Sequence, residues 1–415
     1  MRTPFASLFE GRSASLENPG TPWDAFFQEG TRTAAGVTLT DEKAASVPEV
    51  YACLQVLSQD VGRCPVKLRR READGSYTDA TDHTMWEILA DLTNPETTAF
   101  QFRSQMQRDL LQFEHAYAEI VRNPRGEVQA LWRLDPRHME VSRNALNQKI
   151  YTYRPPNGST QTWAFHPSTP PIFDLSYPSP MVRCRELIGL AYALDLFGAS
   201  FFANGARPSG TLETPPGVNL DQEVRDRLRT AFQRLFSGAE NAGKVALVEG
   251  GLTFKPITIA NNEAQYNETR KFIRTMIAGT FRVPPHKIGD LERATFSNIE
   301  QQSIDYVTGT LDPFLVAWEQ AFRRDLLTTR QFPGYVAQFD RQALIKADIK
   351  SMLEALAVGR QNGWYSADDI LKRLGENPIG GEAGSAYLVN GNMVPVTQAG
   401  QKASAPAVTP GGGLA

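Results

Sequence analysis

The segment Gly238-Ala-Glu-Asn-Ala-Gly243-Lys244 is the stretch whose residue types come nearest to a chemical motif. Its spacing, G-x-x-x-x-G-K, is that of a loop whose backbone amides and lysine hold nucleotide phosphates. Position 245 is valine, however, where such a loop has a serine or threonine that binds magnesium. The predicted order is also helix, loop and strand, whereas a phosphate loop joins a strand to a helix. We therefore interpret the segment as a turn that ends a helix.

Other catalytic patterns are absent from the sequence. The five histidines lack the i, i+4 spacing of a helical zinc site, no serine lies in a G-x-S-x-G turn, and no cysteine has a recognisable nucleophile context. The carboxylates of Asp368 and Asp369 are typical of the first turn of a helix, where the dipole favours negative charge. We predict that the protein is not an enzyme and has no catalytic residue, metal or cofactor.

Two charged segments are better candidates for contacts with other molecules. The polar segment from Lys287 to Asn298 lies between two predicted helices, so we expect an exposed loop of the kind that often carries binding residues. A helix predicted over residues 221–236 carries charges of both signs, which is typical of either a solvated face or a protein-docking surface. Its basic residues are Arg225, Arg227, Arg229 and Arg234.

The composition limits the classes of protein to consider. The chain has 415 residues, of which 41% are hydrophobic and 21% charged, so we expect two or more folded modules. A net charge of -3 argues against a protein that grips DNA through a general basic surface. Three cysteines without a C-x-x-C pair favour a reducing compartment. The apolar run at 187–203 is too short for a comfortable membrane span and contains Asp195, so we predict no membrane span.

The elements that must position these segments alternate between helix and strand. A capping box at Thr98 and Gln101 predicts the start of one helix. Apolar spacing predicts further helices over residues 47–62, 181–204 and 263–282, and a helix from Ser297 to about residue 327 that Pro313 kinks or divides. Strands are predicted at residues 64–70, 116–122, 128–134, 140–143, 150–154, 210–213, 244–249, 252–257 and 335–339. The sequence therefore predicts an α+β fold.

Four long segments resemble the portal, or head-to-tail connector, proteins of long-tailed phages with the lambdoid-type capsid fold. They are VYACLQVLSQDVGRCPVKL (50–68), FFANGARPSGTLETP (201–215), NAGKVALVEGGLTFKPI (241–257) and FRVPPHKIGDLERATFSNIEQQS (281–303). The resemblance extends from about Val47 to Gly381. It includes the segment at 238–244, in a region of the family that is not known for nucleotide binding.

The resemblance implies a portal-type fold made of an α/β wing, a two-helix stem, a small inserted α/β clip, a kinked long helix and a helical crown. The implied divisions are a flexible arm (1–40), the first part of the wing (41–180), a stem helix (181–208), the clip (209–259), a second stem helix (260–284), a tunnel loop (285–296), the kinked helix and wing return (297–345), the crown (346–380) and a disordered tail (381–415).

The resemblance also implies a function and partners. Portal proteins form a dodecameric ring at one capsid vertex of the virion, assembled in the bacterial cytoplasm, and double-stranded DNA passes through the channel without sequence specificity. The large terminase subunit, a separate motor, would dock on the clip arginines; a head-completion or tail adaptor would replace it, and the major capsid protein would be a further partner. Candidate channel residues are Lys287, Asp290, Glu292, Arg293, Thr295 and Asn298.

Two other functions stay open on the sequence alone. One is a nucleotide-dependent enzyme, which would depend on residues 238–244. The other is a membrane pore or scaffold, which would depend on the apolar run at 187–203. Neither accounts for the order of the segments along the chain.

Overall fold

The computed structural model describes residues 31–203, 210–214, 220–236, 253–256, 263–290, 302–327, 331, 334–345, 349–374 and 376–388. The chain divides into two compact units, residues 1–344 and 345–415. Helices and strands both occur in the first unit, and the described elements of the second unit are helices. The fold is therefore a mixture of helix and sheet.

Ten α-helices are described up to residue 345. They are α1 (Asp41–Ser46), α2 (Pro48–Arg63), α3 (Thr84–Ala90), α4 (Ala99–Phe113), α5 (Pro180–Arg183), α6 (Arg185–Ala203), α7 (Gln222–Phe236), α8 (Glu263–Thr280), α9 (Asp312–Ala321) and α10 (Gln342–Ile345). Two short 3-10 helices cover Pro136–His138 and Pro285–Ile288.

The contact between α2 and α4 lies at the centre of the first unit. The buried face of α2 is apolar at helical spacing, as predicted, through Val50, Cys53, Leu54, Leu57 and Val61. At the end of α2, a Cβ at Gly62 would overlap the Oγ of Ser104, so glycine permits the close approach of the two helices. The buried guanidinium of Arg103 donates to the Gly62 carbonyl at 2.8 Å and satisfies this helix end.

Both ends of α4 are fixed by side chains. The predicted capping box is confirmed, since the Thr98 Oγ1 accepts from the Gln101 amide at 3.2 Å and the Gln101 Oε1 accepts from the Thr98 amide at 3.1 Å. The helix ends at Glu114, which has a left-handed φ of 64°. The Glu114 carboxylate then accepts from the Ser179 amide and from Arg183 Nε, so it links the end of α4 to α5.

Antiparallel pairing connects all the described strands. Three sheets have three strands each, in the orders β12-β7-β8, β15-β3-β4 and β11-β10-β9, and three ribbons pair β1 with β2, β5 with β6 and β13 with β14. The strands are β1 (Thr31–Arg32), β2 (Thr38–Leu39), β3 (Val66–Arg71), β4 (Tyr77–Asp79), β5 (Leu92–Asn94), β6 (Thr97–Thr98), β7 (His115–Arg122), β8 (Val128–Leu134), β9 (Met139–Arg143), β10 (Lys149–Tyr153), β11 (Gln161–Ala164), β12 (Ile172–Ser176), β13 (Gly210–Glu213), β14 (Thr253–Pro256) and β15 (Tyr335–Phe339).

Strand β12 was not predicted, because it lies in a proline-rich stretch and its first four residues are all buried. A strand buried on both faces has no alternation of polar and apolar residues. Phe173 of β12 packs against Trp318 and Phe322, with ring centroids 5.5 and 5.6 Å away. The indole of Trp318 donates to Gln107 at 2.9 Å. We call Phe173, Trp318 and Phe322 the aromatic core.

Helices α6 and α8, which we call the helix pair, pack against each other. The hydroxyl of Tyr266 on α8 donates to the Leu194 carbonyl on α6 at 3.1 Å, and Arg270 forms an ion pair with Asp195. The single helix predicted over residues 181–204 is interrupted at Cys184, whose φ of -109° and ψ of 30° separate α5 from α6. Between the two helices of the pair, the inserted strands β13 and β14 are hydrogen-bonded to each other.

The ribbon β1–β2 lies against α6. The Ala34 amide donates to the Glu186 carboxylate at 2.8 Å, and a Cβ at Gly189 would overlap the buried side chain of Thr33. Leu39 is fully buried. The described residues 31–40, which fall in the predicted flexible arm, therefore form a ribbon with contacts to the folded unit.

The predicted distortion at Pro313 takes the form of a π-helical turn. Proline has no amide hydrogen and its ring crowds the preceding turn of an α-helix. The turn Tyr306–Leu311 precedes α9, and the Asp312 amide donates to the Val307 carbonyl five residues back. A second π-helical turn, Phe322–Leu326, follows α9. The predicted start of this helix at Ser297 lies outside the described residues.

The second unit contains α11 (Ile349–Gln361), α12 (Ala367–Leu374) and α13 (Gly381–Ser385). Ser366 caps α12, since its Oγ accepts from the Asp369 amide at 3.1 Å. The Asp368 carboxylate accepts from the amides of Ile379 and Gly380 and so holds the chain that leads into α13. The described structure thus continues past residue 380, the predicted start of a disordered tail.

Candidate functional site

In the described part of the chain, the side chains that could act as nucleophiles or metal ligands have structural roles. Burial raises the pKa of the Cys53 and Cys64 thiols to about 12, so both stay protonated at neutral pH. In the described parts of the chain, no group of three or more His, Cys, Asp or Glu side chains could hold a metal ion. The sequence motif at 238–244 lies outside the described residues.

Two buried carboxylates, Asp174 and Asp325, belong to one ion network beside the aromatic core. The Asp174 Oδ2 accepts from Lys149 Nζ at 2.6 Å and from the Tyr151 hydroxyl at 2.9 Å, and the Asp174 amide donates to Asp325 at 3.1 Å. Burial is the largest influence on Asp174 and opposes its ionisation, but the charge and hydrogen bond of Lys149 together with His115 and Tyr151 outweigh it and lower the pKa of this carboxyl. The network joins β10, β12 and the second π-helical turn.

An open cleft of about 430 Å³ contains two further ion pairs. Arg133 binds both oxygens of Asp109 at 2.6 and 2.7 Å, and Arg137 binds Asp135 at 2.7 Å. Each of these carboxylates is therefore held by a guanidinium group. The Arg133–Asp109 pair holds α4 and β8 together, whereas the Arg137–Asp135 pair is local to the 3-10 helix that follows β8.

The charged helix α7 presents its first basic residues to solvent. Arg225 is exposed and donates to the Leu220 carbonyl at 2.9 Å, and exposed Arg227 pairs with Glu223 one turn away. Arg229 and Arg234 also lie in α7, but the structure does not describe their side chains. The described part of this surface therefore consists of local, solvated charge pairs.

The predicted polar loop begins at the described 3-10 helix Pro285–Ile288. Lys287 does not extend into solvent: its Nζ lies 3.2 Å from the Asp60 carboxylate and 4.5 Å from the centre of the Tyr306 ring. Asp290 follows Gly289, and the Asp290 amide donates to the Pro285 carbonyl at 3.0 Å. The other four candidate channel residues, Glu292, Arg293, Thr295 and Asn298, lie outside the described residues.

The two ends of α2 hold α8 and the first residues of this loop. Glu49, near the start of α2, lies 3.4 Å from Arg270 and 3.8 Å from Arg274, both on α8. Asp60, near the end of α2, binds Lys287. Glu49 and Asp60 are each 7% exposed, so the carboxylates of these three pairs are buried while their basic partners stay partly exposed.

The helix pair exposes large apolar side chains. On α6, Leu190 and Phe197 are spaced by seven residues and are 43% and 46% exposed; on α8, Phe272 and Met276 are spaced by four residues and are 63% and 44% exposed. Each spacing places both side chains on one face of the helix. We call these four residues the exposed apolar pairs. Contiguous exposed apolar surface is typical of contacts with another protein.

The sequence missed this surface although it contained the signal. The apolar set predicted for residues 263–282 includes Phe272 and Met276 together with Ile273, Ile277 and Phe281. Only the last three are buried in the chain. An apolar face of α8 that is wider than one buried stripe was the available indication.

The chain has relatives among known proteins. The family model described as "Phage portal protein" matches residues 48–375. The chain is 28% identical to the probable portal protein of Streptomyces phage phiC31, over 94% of this chain and 89% of that protein. It is 25% identical to the portal protein of Enterobacteria phage HK97, over 88% of this chain and 86% of that protein.

Solved structures have a similar fold. An HK97 family phage portal protein from Corynebacterium diphtheriae matches with a TM-score of 0.56 and 18% identity, over 75% of this chain and 99% of that one. A chain from the neck of a native gene transfer agent particle, computed with C12 symmetry, matches with a TM-score of 0.51 and 19% identity, over 80% and 90%. Since the family model covers most of the chain, this protein belongs to the phage portal protein family.

Proposed function

We propose that the chain is the subunit of a twelve-membered ring through which double-stranded DNA enters and leaves a phage-like particle. The ring would sit at one vertex of the capsid, in contact with the major capsid protein, after assembly in the bacterial cytoplasm. In this proposal the protein is a passive conduit, and ATP hydrolysis belongs to the large terminase subunit that docks on it.

The exposed apolar pairs are the observation that carries the proposal. Phe272 and Met276 on α8, and Leu190 and Phe197 on α6, leave an apolar surface that a single chain does not cover. Fully burying such a side chain contributes about 1.5 to 3 kcal/mol, and these four are about half exposed, so cover by neighbouring chains would contribute about half of that for each and favour assembly. Membership of the portal family and the twelve-fold symmetry of the related neck structure support a ring as the form of that assembly.

The charge of the chain suits a conduit. A net charge of -3 provides no general attraction for phosphates, and a wall that DNA slides past must bind it weakly. We propose that the tunnel loop lines the channel, with Arg293 as a phosphate contact and with Asp290 and Glu292 limiting the attraction. Thr295 and Asn298 would add polar contacts without charge.

The remaining divisions of the chain follow the same proposal. Residues 41–180 and 297–345 would form the wing, 181–208 and 260–284 the stem, 209–259 the clip and 346–380 the crown. The mixed charge of α7 suits a surface that binds the terminase and then a head-completion or tail adaptor in a fixed orientation. Arg225, Arg227, Arg229 and Arg234 are the residues that we propose for this contact.

The ring interface can be tested with the double variant Phe272→Glu/Met276→Glu. We expect the native chain to form rings with an axial hole in electron micrographs, and the variant to stay monomeric because two carboxylates would be buried at the interface. Size-exclusion chromatography with light scattering gives the mass of each. Leu146→Glu is the matched control, since Leu146 is 78% exposed at the turn between β9 and β10.

The control should form rings of native mass, and both variants should keep the helical circular dichroism of the native chain. A native chain that stays monomeric at micromolar concentration would contradict the ring. If the double variant formed rings of native mass, the helix pair would not be part of the ring interface.

A further inference from the structure

The first residues of the tunnel loop contact the chain segment that follows the loop. His286 Nδ1 and the Gln302 Oε1 are 3.0 Å apart, although 16 residues separate them in the sequence. The Thr310 hydroxyl donates to the Arg282 carbonyl at 2.8 Å, which connects the first π-helical turn to the end of α8. Arg282 itself has a left-handed φ of 54°. The residues on both sides of positions 291–301 are therefore held at defined positions.

A cluster of four side chains, Asp60, Arg63, Lys287 and Tyr306, fixes the base of the tunnel loop to α2. Lys287 Nζ lies 3.2 Å from Asp60 Oδ2, and Arg63 lies 3.0 Å from Asp60 Oδ1. The Lys287 ammonium also lies 4.5 Å from the centre of the Tyr306 ring. Tyr306 is 2% exposed, and the Lys287 side chain is 23% exposed. One lysine thus contacts α2 and the first π-helical turn at the same time.

The chemistry of the cluster favours a permanent contact. Burial, followed by the negative charge of Asp60, raises the pKa of the Tyr306 hydroxyl, so the ring stays neutral and its face can bind a cation. Removing Lys287 would leave the buried Asp60 with Arg63, whose side chain is 56% exposed. Breaking a buried pair by removing one partner is strongly unfavourable because a buried charge is left behind.

We propose that Lys287 is a positioning residue that fixes the base of the tunnel loop to α2, and that it does not bind DNA. This inference deepens the proposed function, since it takes the loop as part of the channel. An ammonium that is shared by a carboxylate and an aromatic face has its charge balanced within the chain, which weakens its attraction for a phosphate. Direct contact with DNA would then fall to Arg293.

Hydrogen exchange of the assembled protein, measured by mass spectrometry, tests whether Lys287 fixes the base of the tunnel loop to α2. In Lys287→Met and in Asp60→Asn we expect amides of residues 281–290 and 302–311 to exchange about tenfold faster, because local opening becomes easier. The double variant should match the single ones, since each removes the same contact. Lys287→Arg should restore slow exchange because it retains the cation.

Lys67→Met is the matched control. Lys67 lies on β3 and pairs with Asp340 at 3.2 Å, and the two side chains are 36% and 30% exposed. It should leave exchange at residues 281–311 unchanged. If Lys287→Met kept the native exchange rates at these residues, the proposed positioning role of Lys287 would be wrong.

The second measurement is the salt dependence of binding to linear double-stranded DNA. A phosphate contact by Lys287 would lower the slope of log K against log salt by about one in Lys287→Met, whereas a positioning residue leaves the slope unchanged. A lower slope with unchanged exchange would overturn the inference. If the native protein formed no ring and passed no DNA, the proposed function would fail, while the exchange result would still decide the role of Lys287.

Discussion

The aromatic core buries its large apolar side chains, whereas the helix pair leaves several of them exposed. Trp318 and Phe322 are 0% and 1% exposed, and even the indole nitrogen of Trp318 has a partner. On the helix pair, Phe272 and Phe197 are 63% and 46% exposed, although these helices are just as regular. The first region is complete in one chain, whereas the second presents a surface that one chain does not cover.

Charged groups differ between the two regions in a similar way. Beside the aromatic core, Asp174 receives hydrogen bonds from two side chains and is 6% exposed. On the helix pair, Asp195 and Arg270 pair with each other but remain 30% and 26% exposed. If the helix pair lies at the ring interface, as proposed, folding and assembly use different parts of the molecule. Variants in the two regions should therefore separate stability from ring formation.

The largest expected effect is on Trp318. Trp318→Ala should lower the free energy of unfolding by about 3 to 5 kcal/mol, because it leaves a cavity beside Phe173 and Phe322 and removes the hydrogen bond to Gln107. Urea denaturation followed by circular dichroism measures the change. Phe272→Ala is the counterpart on the helix pair and should change the stability of the monomer by about 0.5 kcal/mol or less. Equal losses in the two variants would contradict the division of roles.

A smaller effect is expected where the ribbon β1–β2 meets α6. Gly189→Ala places a Cβ against the buried side chain of Thr33, so we expect a loss of about 1 to 3 kcal/mol from overpacking. Adding Thr33→Gly removes the obstructing atoms and should recover most of that loss in a double-mutant cycle. Additive losses in the double variant would show that the two residues do not interact.

The smallest effect concerns pH, since Lys149 is 40% exposed and water weakens its pair with Asp174. The folded chain holds the pKa of Asp174 below its ordinary value of 3.8. The charge of Asp174 therefore stabilises the fold above about pH 4, and this contribution is lost as the pH falls through the lowered pKa. Thermal unfolding between pH 7 and pH 3 should show a flatter pH dependence for Asp174→Asn than for the native chain. Asp79→Asn, which alters an exposed pair with Arg69, should leave the pH dependence as it is.

Much of the fold could be predicted because short local sequence patterns determine it. The apolar positions of α2 recur at helical spacing, and Thr98 with Gln101 forms a capping box, so neither element depends on distant residues. Strand β12 escaped prediction because burial of Ile172, Phe173, Asp174 and Leu175 removes the alternation by which strands are recognised. A buried aspartate in such a strand is understood only once Lys149 and Tyr151 are known to reach it.

The site was harder to predict, for two physical reasons. Helical spacing shows that Phe272 and Met276 avoid water in some state, but it does not tell whether the same chain or a neighbour covers them. The pairing of Lys287 with Asp60 spans 227 residues and depends on how the end of α2 meets the start of the loop. From the sequence, Lys287 was therefore only a candidate DNA contact, and its ion pair with Asp60 is visible in the structure alone.

The π-helical turn before Pro313 lets this helix hold one residue more than a regular α-helix with the same rotation. An α-helix rotates by about 100° per residue, so an extra residue in a regular helix would displace every later side chain around the axis by that angle. A turn closed by a hydrogen bond to the fifth residue back accommodates the extra residue in a wider loop of backbone. Deleting one residue between Tyr306 and Leu311 should therefore let the turn close as α-helix and leave Trp318 against Phe173, whereas a deletion within α9 before Trp318 would turn the indole away.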